Sequence, residues 1–185
     1  GYQAAGVLPL VGQWNTHTYS ATTQARSQIS ALCKEQGIRL WMSEVGSGGS
    51  GIAGNLNLAQ KLMDDIRYIM PVAWVDWQYV EEGNDQWCLV QGDFTKQTYH
   101  KVKNYSIRQH FSKFIRPGYT FLTSLNGQTL AARNPEGDSL IIVAINPNAL
   151  PVVHRADLSF YESISSELTA LRSSETEDLS PTADY

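Results

Sequence analysis

Three short stretches hold the side chains that could do chemistry. Leu40-Trp41-Met42-Ser43-Glu44-Val45-Gly46 runs from an apolar segment into one acidic residue and then a glycine-rich loop. A carboxylate at the C-terminal end of a strand is held on a rigid element with its oxygens facing a cleft. Barrels and open α/β sheets keep their catalytic groups there. The competing reading is a structural ion pair with a neighbouring arginine. The second stretch is Trp14-Asn15-Thr16-His17-Thr18-Tyr19. Alternation along a strand places Asn15, His17 and Tyr19 on one face, as polar heads where a ligand would sit. His17 taken alone also fits a core histidine satisfied by backbone. The third is Ala73-Trp74-Val75-Asp76-Trp77-Gln78-Tyr79. Trp74 and Trp77 at a strand end suit sugars, whose CH-rich faces stack on aromatic rings, although Trp and Tyr also serve as ordinary core residues. Residues 81–87 are long and polar, as a binding loop would be.

Other chemistries find little support. There is no phosphate-binding loop with its lysine, no Gly-x-Gly-x-x-Gly after a strand and no serine nucleophile elbow. Two cysteines, Cys33 and Cys88, cannot define a disulfide framework, and no Cys-x-x-Cys spacing suggests a metal. Asn104-Tyr105-Ser106 matches a glycosylation sequon but falls within an expected helix, where chance is the simpler reading. The formal net charge of −4 gives a nucleic-acid partner little support. The basic run Lys96, Lys101, Lys103, Arg108, Lys113 and Arg116 reads as a solvated helix face. No apolar run approaches the roughly 18 residues of a membrane span. At 42% hydrophobic and 17% charged residues, the composition is that of an ordinary soluble globular chain.

The elements that must position these residues alternate. Residues 8–18 read as a strand, 22–36 as a helix stopped by Gly37, and 38–42 as a short apolar strand. Cys33 falls on the apolar face of that helix, where a small buried thiol is expected. Residues 47–54 form a glycine-rich loop. Asn55 is the expected N-cap of an amphipathic helix that Pro71 ends. Residues 72–79 make the third strand, and 98–114 the third helix. This order predicts parallel strands with right-handed crossovers, and three such units cannot close a barrel. After Arg116-Pro117-Gly118 the pattern changes to short strands with hairpin signals, Asn126-Gly127 being the strongest. Strands are expected at 119–124, 128–133, 139–145, 152–160 and 167–171, forming an antiparallel module of the sandwich type. Residues 172–185 read as an exposed acidic loop.

These strand ends resemble glycoside hydrolase family 30, a family of retaining β-glycosidases. The matching stretches are Trp14 to Tyr19, Leu40 to Gly46, Ala73 to Gln78, and Gln109-His110-Phe111-Ser112-Lys113-Phe114-Ile115-Arg116-Pro117-Gly118. The last resembles the segment that joins the family's barrel to its β-sandwich. The resemblance implies an α/β fold: the C-terminal part of a (β/α)8 barrel, about strands six to eight, over residues 1–116, followed by a partial β-sandwich over 117–185. It implies that Glu44 is the catalytic nucleophile. It also implies that His17 and Tyr19 line the sugar subsite and that Trp77 borders the reacting sugar. Asn15 and Trp74, on the neighbouring positions, complete the expected substrate-binding set.

The family needs no metal and no organic cofactor, and most members are secreted or lysosomal. Its substrates include xylan, β-1,6-galactan, β-glucans and glucosylceramide. A loose likeness of residues 73–78 and the 81–87 loop favours β-1,6-galactan. The expected partner is therefore a polysaccharide or oligosaccharide, with no nucleic acid and no membrane span, and the full-length enzyme is expected to be a monomer. The family's general acid/base is a glutamate after the fourth strand, usually preceded by Asn, and no Asn-Glu dipeptide occurs here. A retaining mechanism needs two carboxyl groups about 5–5.5 Å apart. The chain is accordingly expected to be a C-terminal fragment, inactive alone and marginally stable. Two alternatives stand beside this: a non-hydrolytic carbohydrate-binding protein on the same scaffold, and an unrelated barrel enzyme with a single strand-end carboxylate.

Overall fold

The structure, a computed structural model, describes residues 6–49, 51–165 and 168–182. The chain divides into two units, Gly1–Tyr105 and Ser106–Tyr185.

The first unit carries the candidate site. A 3-10 turn (Leu8–Leu10), with a proline in its first positions, precedes β1 (Gln13–His17). The expected strand over 8–18 is thus shortened, because proline fixes a turn conformation and has no N–H for a ladder. Next come α1 (Thr23–Gln36), β2 (Arg39–Val45), α2 (Ile52–Tyr68) and β3 (Ala73–Asp76). The three strands form a parallel sheet in the order β1-β2-β3. Thr22 caps α1 by accepting the Ala25 N–H at 3.1 Å. Gly37 closes the helix in the left-handed conformation, with φ 64°, and the Ile38 N–H returns to the Cys33 carbonyl. Gly51, and not Asn55, caps α2, so Asn55 lies inside the helix and is buried.

One face of the sheet is packed. Cys33, Leu40, Met42, Val45 and Ile69 form a buried cluster, with Trp14, Ile29 and Trp74 packed against it. Burial pushes the Cys33 thiol above its ordinary range, as suits an inert core cysteine.

A second, small sheet follows β3. It contains β4 (Val80–Glu82), β5 (Val90–Asp93) and β6 (Thr98–Lys101), with β4 parallel and β6 antiparallel to β5. The helix expected over 98–114 is therefore corrected: its first four residues are β6, and α3 spans Lys103–Ser112. Asp93 accepts the Lys96 N–H at 2.9 Å and pairs with its ammonium at 2.8 Å. That turn sends Thr98 and Tyr99, both strand formers, back along β5.

In the second unit β7 (Thr120–Leu122), β8 (Thr129–Arg133) and β9 (Leu140–Ala144) form an antiparallel sheet. Asn134 builds the β8–β9 turn by accepting the Gly137 and Ser139 N–H groups. The strand expected over 152–160 does not form. Pro151 precedes the run, and Asp157 accepts the Ser159 N–H at 3.0 Å, turning the chain before a ladder could propagate. The last two strands are β10 (Ala170–Arg172) and β11 (Ser180–Thr182), paired antiparallel. The expected strand 167–171 is thus displaced, with Glu167 outside the described residues. The expected acidic loop contains a strand, and residues 183–185 lie outside the description. Arg172 holds this hairpin through two hydrogen bonds to Glu177, at 2.8 and 2.9 Å.

Candidate active site

Glu44 lies near the C-terminal end of β2, and a bulge decides where it faces. Asn15 pairs with Trp41 and Thr16 with Met42, but His17 pairs with Glu44, so Ser43 is one extra residue on β2. Side chains alternate along a strand, and Met42 is wholly buried in the helix-side cluster. Without the bulge Glu44 would share that side. The extra residue reverses the phase and brings Glu44 to the face of Trp41, Asn15 and His17. This re-aiming has no signal in the sequence.

On that face the carboxylate is held from both sides. The Tyr19 hydroxyl donates to Glu44 Oε1 at 2.9 Å, and His17 Nε2 lies 3.7 Å from Oε2. The His17 and Tyr19 rings meet edge to face, with centroids 6.3 Å apart. Partial burial, and next the Glu44 carboxylate to which it donates, push the Tyr19 phenol above its ordinary range; the Gly46 backbone offsets part of this. Glu44 itself is 30% exposed, so the group is reachable from outside. Asn15 is exposed on the same face and accepts from Gln13 Nε2 at 2.7 Å.

The two tryptophans of the third strand separate. Trp77 follows β3, with its N–H on the Val45 carbonyl at 3.0 Å and its ring about half exposed. Its peptide bond to Gln78 is cis. Gly46 lies directly against it: a Cβ on Gly46 would stand 2.6 Å from the Trp77 carbonyl oxygen and 3.2 Å from the Trp87 Cβ. Trp77, Trp87 and the Glu44 strand end are therefore neighbours. Trp74, by contrast, pairs in register with Met42 on the helix side. Its indole N–H donates to Asp65 Oδ2 at 2.9 Å, and its ring packs on the buried cluster.

Three residues were not singled out from the sequence. Trp87 is one. Glu81 is another, whose Oε2 accepts from Gln78 Nε2 at 2.6 Å and from Trp87 Nε1 at 2.8 Å. Those two hydrogen bonds hold the Glu81 carboxyl below its ordinary range. Both residues belong to the polar 81–87 loop, so the signal was the loop itself. The third is Asp65 of α2, wholly buried. Its signal was positional: an acid on the apolar stripe, three residues after Leu62 and seven after Leu58.

Behind the site, the loop expected over 47–54 ends earlier, because α2 begins at Ile52, and Gly48 ahead of it has a packing reason. Gly48, at φ 138°, has no room for a Cβ beside the Asn104 amide. Asn104 is buried, accepts from Asn55 Nδ2 at 2.7 Å and donates to the Gln86 and Cys88 carbonyls, each at 3.2 Å. Its amide is fully engaged inside the first unit, which removes the sequon as a modification site. Among the described residues, no group of three or more His, Cys, Asp or Glu is arranged to hold a metal ion. No helix among them is long and apolar enough to cross a membrane.

No family model matches the chain. Over 138 residues it is 29% identical to an endo-β-1,6-galactanase of Hypocrea rufa, a match covering 74% of this chain and 28% of that protein. The fold of a glycoside hydrolase family 30 subfamily 8 xylanase from Clostridium acetobutylicum superposes with a TM-score of 0.71 at 22% identity. That likeness covers 96% of this chain and 43% of the xylanase. The chain is thus similar to enzymes of glycoside hydrolase family 30. A family 30 endoxylanase from Clostridium papyrosolvens gives a TM-score of 0.70 at 18% identity, over 92% of this chain and 42% of that one. The chain thus spans less than half the length of each of these proteins. Its mixed α/β architecture of small sheets accords with theirs, and the expected family likeness holds.

Proposed function

We propose that this chain forms part of a retaining β-glycosidase in which Glu44 is the nucleophile. The observation that carries the reading is the bulge at Ser43, which sets Glu44 between His17 and the Tyr19 hydroxyl. Glu44 attacks the anomeric carbon as the glycosidic C–O bond breaks and the general acid protonates the leaving oxygen; water, deprotonated by the same group, then hydrolyses the glycosyl-enzyme ester and frees Glu44. Tyr19 steadies the carboxylate by donating to one oxygen. His17 and Asn15 offer hydrogen bonds to sugar hydroxyls, and Trp77 offers a stacking face. Trp74 belongs to the expected binding set, but its hydrogen bond to Asp65 supports a role in holding β3 and α2 together.

The same proposal extends to architecture. The β1–β3 layer corresponds to strands six to eight of a (β/α)8 barrel over residues 1–116, and residues 117–185 to part of a β-sandwich. The general acid/base is then supplied from outside these 185 residues, and the isolated chain does not hydrolyse. No Asn-Glu dipeptide occurs in the chain, and its relatives are far longer. The whole enzyme acts as a secreted monomer on a β-linked polysaccharide, without metal or cofactor. The galactanase relative favours β-1,6-galactan over xylan and β-glucan.

The test uses the longest natural reading frame that encodes this chain, assayed for reducing-sugar release from the three polysaccharides. Glu44→Gln is expected to lower kcat by at least about 10³-fold on the preferred substrate while leaving the fold intact. Binding without hydrolysis by the wild-type protein would instead support a non-hydrolytic carbohydrate-binding protein.

A further inference from the structure

We infer that α2 sets the position of Tyr19 against Glu44, with Asp65 and Lys61 as positioning residues that grip the turn after β1. This rests on Glu44 being the nucleophile.

Tyr19 has little of its own to hold it. Its ring is about half exposed, and its contacts are the edge of His17, the Glu44 carboxylate and the Gly46 backbone. A hydroxyl at the tip of such a side chain keeps its place only if its backbone is fixed. That backbone is fixed from α2. Asp65 Oδ2 accepts the Thr18 hydroxyl at 2.8 Å, one residue before Tyr19. One helical turn earlier, Lys61 Nζ donates to the Thr18 carbonyl at 3.2 Å and to the Tyr19 carbonyl at 3.3 Å. Two residues beyond Tyr19, Arg26 holds the Ala21 carbonyl through Nη1 at 2.6 Å.

Asp65 is the centre of this arrangement. It is 0% exposed and also accepts Arg26 Nε at 2.7 Å and Trp74 Nε1 at 2.9 Å. Its three donors come from three places: the turn after β1, α1 and β3. A buried ion pair is weak evidence for stability, since apolar packing of the same volume does as well. It is a strong device for geometry, because a carboxylate with its acceptor sites filled tolerates one arrangement of its donors. Lys61 sends its ammonium to two carbonyls of the turn, although desolvation, and next the Arg26 charge, lower its pKa. Both residues therefore direct their charge at the segment that carries the Tyr19 hydroxyl.

The test uses the longest natural reading frame and its preferred polysaccharide. Thr18→Val keeps the shape and removes the bond to Asp65; Lys61→Met removes the two bonds to the turn. Each is expected to lower kcat/KM about tenfold, mostly in kcat, since small misplacements of a positioned group cost that much or more. In a Tyr19→Phe background neither should lower it further, and Lys61→Arg should restore most of the loss. Thr18→Val changes no charge, so it also permits a tyrosinate absorbance titration. The groups that face Tyr19 are Glu44 from β2, His17 from β1 and Lys61 from α2. The Tyr19 phenol is expected to ionise at lower pH once it drifts from Glu44.

Losses of the same size with and without the Tyr19 hydroxyl would overturn the inference, as would an unmoved titration. If Thr18→Val does not fold, the Lys61 variants decide alone, because Lys61 is only partly buried. An active Glu44→Gln enzyme would sink the nucleophile reading instead, which separates the two failures.

Discussion

At the scale of single residues, the Tyr19–Glu44 contact makes a prediction that needs no substrate. The phenol is raised first by partial burial and then by the carboxylate it donates to. An adjacent negative charge disfavours tyrosinate, so removing that charge must lower the pKa. Glu44→Gln is expected to shift one tyrosine of the chain toward its ordinary value near 10. The burial contribution keeps it above that value. Difference spectra against Tyr19→Phe identify which tyrosine moves, and an unchanged titration would mean that the contact does not persist in solution. Much of this was legible in the sequence. The alternation of Asn15, His17 and Tyr19 put them on one face, and Glu44 stood out as the acid ending an apolar strand. What could not be read was the facing of Glu44. It depends on one inserted residue in the ladder, and register is a property of two strands. Trp74 shows the same limit from the other side. Its type suited a sugar platform, but its register partner Met42 turns it toward the helices, where Asp65 takes its N–H.

At the scale of elements, long periodic segments were easy and short exposed ones were not. α1, α2 and the three parallel strands follow from apolar periodicity and from stop signals such as Gly37. The small sheet of β4, β5 and β6 escaped because its strands have three or four residues, and β6 is exposed throughout. No apolar stripe marks a strand that buries so little. The junction of β2 with the segment after β3 offers a sharp test. Gly46 has no strained φ; its restriction is purely one of space, since a Cβ would meet the Trp77 carbonyl oxygen at 2.6 Å. A backbone atom cannot rotate away as a flexible side chain could. Gly46→Ala is therefore expected to push β2 and Trp77 apart, destabilising the fold by about 1–3 kcal/mol as overpacking usually does. It should also displace Trp77 and Trp87 from the Glu44 end, so activity should fall more than stability explains. Thermal melts beside kcat/KM of the full-length protein measure both. An active, equally stable variant would show that the strand end has slack.

At the scale of the whole chain, the parallel sheet has one packed face and one open face. Leu40 and Met42 are buried on the helix side, whereas Trp41 is 36% exposed and Val75 40% on the other. Parallel sheets are ordinarily covered on both faces, so such an open apolar face is a liability in water. If the open face is the interior side of a barrel, the rest of that barrel must cover it. The 185-residue chain alone is then expected to unfold over a broad range and to associate through this face. Trp41 reports on the difference. Its emission should lie at shorter wavelength in the longest natural protein than in the isolated chain, because a buried indole loses its water contacts. Trp41→Phe in each protein subtracts the other tryptophans. A monomeric isolated chain with a sharp, two-state transition would contradict this. It would mean that the first unit is stable with its sheet half covered, and the barrel reading would lose its physical basis, whatever Glu44 does.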